Sequence, residues 1–62
     1  MVRGPVEGPR FAVGERVLVQ VPGEPVWYGV VEGIYPHPDG HHWYAVRREP
    51  GGEGLVSDAN MV

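Results

Sequence analysis

Apolar and polar positions alternate with a period of two along several short stretches of this chain, and turn residues cut the stretches apart. A period of two places alternate side chains on opposite faces of a strand. Val17, Val19 and Val21 share one face of a first strand, with Arg16, Leu18 and Gln20 on the other. Phe11 and Val13 are expected to tuck inward just before it, ahead of a turn at Gly14-Glu15. Pro22-Gly23-Glu24-Pro25 then breaks the pattern, since proline cannot donate to a sheet ladder. A long second strand is predicted from Val26 to Tyr35, with Trp27, Gly29 and Val31 on one face and Tyr28, Val30 and Glu32 on the other. Gly29 and Gly33 mark points where the sheet bends or bulges.

Pro36-His37-Pro38-Asp39-Gly40 is the clearest turn, because Asp-Gly between strand patterns is a hairpin signal. The following strand, His41 to Arg48, carries aromatics on both faces: Tyr44 alternates with His42, Val46 and Arg48, while Trp43 alternates with Ala45 and Arg47. A second hairpin turn spans Glu49 to Glu53, and Gly54 to Ser57 reads as a short fourth strand. Asp58 to Val62 is predicted to make one helical turn, capped by Ser57 or Asp58, with Met61 or Val62 closing the end of the fold. The expectation is an all-β domain over residues 11–62, a small barrel of four to five antiparallel strands. Residues 1–10, with two Gly-Pro steps and no periodicity, are expected to be a flexible arm.

Composition narrows this picture. A chain of 62 residues makes one domain at most, and a domain of that size buries only about 60% of the surface its unfolded chain exposes. Small scaffolds usually need a staple. With no cysteine, disulfides and thiolate metal sites are excluded. That leaves tight closure, a histidine site or self-association. Ten glycines and seven prolines would suggest disorder in a polar chain, but twelve valines and six aromatics between them favour short strands. Five basic against eight acidic residues give a net charge of −3, which argues against a nucleic-acid partner. No apolar run approaches the about 18 residues that a membrane helix needs, and no signal-peptide pattern is visible. A cytoplasmic location without membrane attachment is the default expectation.

Three groups of side chains carry candidate chemistry. Trp27, Tyr28, Tyr35, Trp43 and Tyr44 exceed what so small a core can readily hide, and of these Tyr28, Tyr35, Trp43 and Tyr44, walled by Pro36, are the expected binding surface for a protein partner or a second copy. Arg16, Arg47 and Arg48 are the one candidate anion contact, with Glu15, Glu32 and Glu49 as competing salt-bridge partners. His37, His41 and His42 crowd the hairpin tip with Asp39, yet their spacing fits no familiar metal site, so no metal or cofactor is expected. Catalysis would need a second polarisable group beside Glu32 and a pocket. Ser57 is the sole hydroxyl besides tyrosine, and no phosphate-binding glycine motif is present. The leading reading is therefore non-catalytic, and the one enzymatic route open to so short a chain is a pore assembled from several subunits, which together build a concavity that one cannot.

The order of strands and turns from Phe11 to Val62 resembles the SH3-like small barrels, which include the KOW and Tudor modules. That resemblance implies a binding module and admits a nucleic-acid ligand. Two narrower resemblances fall on shorter pieces. Phe11-Ala12-Val13-Gly14-Glu15-Arg16-Val17, Trp27 to Tyr35 and Tyr44-Ala45-Val46 resemble the framework of type II dihydrofolate reductases. Those are barrels that assemble as tetramers around a central active-site pore. Their pore carries Val-Gln-Ile-Tyr where this chain has Gly54-Leu55-Val56-Ser57, so the resemblance implies a shared framework with an altered or lost active site. Gly14-Glu15-Arg16-Val17, Gly29-Val30-Val31-Glu32, Tyr44-Ala45-Val46-Arg47 and Glu53-Gly54-Leu55-Val56 are also similar to a family of small actinobacterial domains of unknown function, which implies a fold and no mechanism.

Overall fold

The computed structural model describes residues 8–62. Four strands, β1 (Arg16–Val19), β2 (Trp27–Pro36), β3 (His42–Arg48) and β4 (Glu53–Ser57), are followed by a 3-10 turn at Asp58–Asn60. They form one antiparallel sheet in the order β1-β2-β3-β4. The domain is thus all-β with the small-barrel architecture expected from the sequence. The sheet does not close by a ladder between β1 and β4. Instead the chain returns to β1 after the 3-10 turn. Val19 bridges Met61, Leu18 and Val62 exchange backbone hydrogen bonds of 3.1 and 2.9 Å, and Gln20 N–H donates to the Asn60 carbonyl at 2.7 Å.

The core lies inside the curl. Val17 and Val19 of β1, Val31 of β2, Tyr44 and Val46 of β3 and Val56 of β4 point inward, with Phe11 and Met61 sealing the ends. The Tyr44 ring meets the Phe11 ring edge-on, with centroids 5.5 Å apart and planes at 82°. The Tyr44 hydroxyl accepts the Arg10 backbone N–H at 3.0 Å, which gives the one polar atom of this buried ring a partner. Arg10 also donates from its guanidinium to the Asp58 carbonyl at 3.2 Å, so the contacts of the barrel begin one residue before Phe11. The rest of the expected arm, residues 1–7, lies outside the described residues.

Val13 does not tuck inward. It is 63% exposed, because the chain turns at Val13-Gly14 with Gly14 at φ 93° and Gly14 N–H tied to the Val31 carbonyl at 2.7 Å. β1 is also shorter than the valine pattern suggested, ending at Val19, since Gln20 bonds to Asn60 and Val21 opens the next turn.

The decisive local feature is in β2. The pairing with β3 slips between Val31 and Gly33, so Glu32 is bulged. A one-residue slip exchanges the two faces of everything beyond it. Before the bulge, Val31 faces inward opposite Val46; after it, Ile34 faces inward opposite Tyr44 and Tyr35 faces outward opposite Trp43. The bulge therefore moves Tyr35 to the outer face beside Trp43. At the far end, Ser57 Oγ accepts the Ala59 N–H at 3.3 Å and caps the 3-10 turn, leaving Met61 buried as the closing residue.

Candidate interaction surface

The outer face of the sheet is ordered in cross-strand rows. Arg16, Val30, Arg47 and Glu53 form one row; Gly33, Ala45 and Leu55 the next; Tyr35, Trp43 and Ser57 the last. The last two rows hold a shallow apolar groove of about 390 Å³ lined by Tyr35, Pro36, His37, Trp43 and Leu55. Tyr35 is 54% and Leu55 63% exposed, while Trp43 is half-buried.

Each wall has a local cause. The Tyr35 ring folds back over Gly33, where an added Cβ would meet the phenol oxygen at 2.7 Å. The Trp43 indole is held at its edge by Asp39, whose carboxylate accepts from Nε1 at 3.3 Å, and His37 lies against it with centroids 5.4 Å apart. Asp39 also accepts the His41 backbone N–H at 2.8 Å, an Asx-type bond that closes the β2–β3 turn. The hairpin tip thus holds the half-buried tryptophan on the outer face of the sheet rather than in the core.

The four expected surface aromatics do not act together. Tyr35 and Trp43 meet in the groove, and Pro36 walls it as expected. Tyr44 is a correction: it is 0% exposed and belongs to the core, because β3 turns its Tyr44 and Val46 positions inward. Tyr28 is 46% exposed but lies on the other side of the bulge, under the Arg16 guanidinium at 4.1 Å from its ring centroid. Leu55 was not singled out by the sequence. With Val56 inward, the period of two already sends Leu55 to the outer face.

The arginines do not form one anion patch. Arg16 pairs with Glu49 through Nε at 3.1 Å and NH2 at 3.2 Å, and Arg47 pairs with Glu32. Arg48 faces the opposite side of the sheet, where its guanidinium sits 4.8 Å from the Trp27 ring centroid. The Arg16 guanidinium, donating to the Glu49 carboxylate, holds that acid below its ordinary pKa and raises its own.

The histidines are likewise dispersed. His37 Nδ1 accepts the Asp39 N–H at 3.2 Å, His41 Nδ1 lies 2.8 Å from the buried Asp58 carboxylate, and His42 enters β3 on the inward-facing side. Among the described residues no three metal-binding side chains converge.

No family model, curated protein or solved structure matches this chain. Nor does any helix among the described residues have the length and apolarity to cross a membrane.

The hairpin tip has a testable pH dependence. The His41 N–H, and then the Trp43 indole, donate to Asp39 and lower its carboxyl pKa below the ordinary value of about 3.9. A depressed folded pKa means that the unfolded chain binds the proton more tightly. The stabilisation is therefore fully present above about pH 5 and is lost as pH falls through the folded value. Thermal unfolding followed from pH 7 to pH 2.5 is expected to show a fall in Tm below about pH 4, to which Glu49 also contributes. Asp39→Asn is expected to give a shallower fall. An unchanged profile in that variant contradicts the assignment.

Proposed function

We propose that this domain is a non-catalytic interaction module that self-associates through the outer face of its sheet. The observation that carries the reading is the apolar groove of Tyr35, Pro36, Trp43 and Leu55 on a solvent-facing sheet surface. Exposed apolar area of this kind, rimmed by polar groups, is typical of contact sites. Tyrosine and tryptophan suit such sites because each keeps a polar end in water. The rim here is supplied by His37, Asp39 and the Arg47–Glu32 pair.

Size favours a second copy as the occupant. The core is built on eight buried apolar residues among those described, with no disulfide to support it. Small domains in this position are commonly stabilised by association. A cytoplasmic setting and an SH3-like ancestry are part of the same proposal.

The chemistry for an enzyme is thin. On β4, a Cβ added at Gly54 would meet the Trp27 ring at 3.5 Å, Val56 is in the core, and the Ser57 hydroxyl is committed to capping. Those are the positions where the reductase resemblance would place a pore. Nucleic-acid binding is equally poorly served, because Arg16 and Arg47 are each paired with a glutamate.

Light scattering on variants tests the reading. Trp43→Ala is expected to weaken association by about tenfold or more, as for a central aromatic in an interface. The double substitution Arg47→Ala, Arg48→Ala is expected to change it little. Equal masses for all three proteins at every concentration overturn the proposal.

A further inference from the structure

β4 is an edge strand, and its hydrogen-bonding pattern shows which of its backbone groups are free. In antiparallel pairs, residues alternate between those that exchange backbone bonds and those that do not. Arg48 N–H donates to the Gly52 carbonyl at 2.8 Å just outside the ladder. Counting from that pair, Val46/Gly54 and Tyr44/Val56 are bonded, whereas Arg47/Glu53, Ala45/Leu55 and Trp43/Ser57 are not. The N–H and C=O groups of Glu53, Leu55 and Ser57 therefore point away from β3. No backbone bond outside the sheet reaches these residues among those described. The opposite edge is different: β1 is covered by Asn60, Met61 and Val62.

Resting on the self-association reading above, we infer that β4 pairs antiparallel with β4 of a second copy, with Leu55 opposite Leu55. Three observations converge on this arrangement. The outward backbone groups of Leu55 lie at the middle of the strand, so a two-fold axis there uses the edge symmetrically. Glu53 then falls opposite Ser57 of the second copy. A register centred on Glu53 would set two carboxylates face to face, which is destabilising, and one centred on Ser57 would run into the 3-10 turn at Asp58–Asn60. Lastly, Leu55 is both the edge residue and the β4 wall of the apolar groove. Pairing at this register places the second copy's Leu55 against the first, so two grooves, each with its Tyr35 and Trp43, become one continuous outer face.

Ser57 is largely covered by the turn it caps, so the reciprocal Leu55 bonds are the centre of the contact, and Glu53 is the accessible flank. A charged residue beside a short edge strand also limits open-ended growth, since it disfavours shifted registers. The expected product is a closed dimer.

Site-specific crosslinking reads the register directly, because the natural chain has no cysteine. Opposed residues in a bonded antiparallel pair have Cα atoms about 5.5 Å apart, within the disulfide range. Leu55→Cys is expected to oxidise to a covalent dimer at micromolar concentration. In this register the two Glu53 positions lie four residues apart along the paired strands, about 13 Å, beyond disulfide reach. Glu53→Cys is therefore expected to crosslink at least about tenfold more slowly. Both sites are exposed, so both variants should keep the wild-type circular dichroism. Equal crosslinking at the two positions overturns the register. A wild-type dimer without a Leu55→Cys crosslink overturns edge pairing but leaves self-association standing. A monomeric wild type, with neither variant crosslinking, removes both.

Discussion

Gly29→Ala is expected to remove a large part of the domain's folding stability. Gly29 is buried in β2, opposite Val17 on one side and Arg48 on the other. A methyl group built on its Cα would lie 2.5 Å from Val46 Cγ1 and 2.6 Å from the Arg47 carbonyl oxygen, with the Trp27 ring at 3.1 Å. The Val46 methyl is in the core and the carbonyl is backbone, so neither can withdraw without moving β3 away from β2. Overpacking of this kind typically costs on the order of 1–3 kcal/mol, and more where backbone must shift. A core of this size rarely supplies more than about 3–5 kcal/mol, so the two quantities are comparable. Gly51→Ala is the matched control. Nothing lies within 4 Å of its added methyl and its φ is not positive, so it is expected to be neutral or slightly stabilising. Urea titration of the two variants makes the comparison, and a Gly29→Ala midpoint equal to that of Gly51→Ala contradicts the described β2–β3 packing.

Tyr44→Ala is expected to be the most damaging side-chain truncation. Its ring is fully buried and meets Phe11, and removing a large buried aromatic costs about 3–5 kcal/mol. Tyr44→Phe keeps the ring and removes only the hydroxyl that accepts the Arg10 N–H, a loss of about 1 kcal/mol. The pair of substitutions also separates a core role from a surface role. A surface tyrosine truncated to alanine would leave the unfolding midpoint nearly unchanged and weaken association instead. Thermal unfolding by circular dichroism distinguishes these outcomes.

The contrast between Tyr44 and Trp43 shows where the sequence was legible and where it was not. The two hairpins were legible, because Asp39-Gly40 and the Pro50-Gly51-Gly52 segment punctuate clean period-two runs. So was the ending as one capped turn, although the choice of Ser57 over Asp58 as the cap and of Met61 over Val62 as the closing residue depends on the fold. The facing of β3 was not legible, since aromatics occupy both of its parities and periodicity alone cannot choose between them. Its pairing with β2 decides the matter, and the bulge at Glu32 changes the parity of β2 partway along. Without that slip, Tyr35 would follow Trp27, Gly29 and Val31 inward. The glycine at position 33 signalled an irregularity there, but not the face on which the following tyrosine would emerge. The three arginines illustrate a different gap. Their proximity in a list of basic residues concealed that Arg47 and its neighbour Arg48 project to opposite sides and that two of the three already hold glutamates.

Self-association through the outer sheet face is the claim on which the functional reading depends, and sedimentation equilibrium of the wild-type chain tests it most directly. The expected result is a mass that approaches twice the 6.8 kDa of one chain as concentration rises into the micromolar range. A mass of one chain at every concentration up to about 1 mM would contradict it, because affinity weaker than that is too low for a specific dimer of this kind.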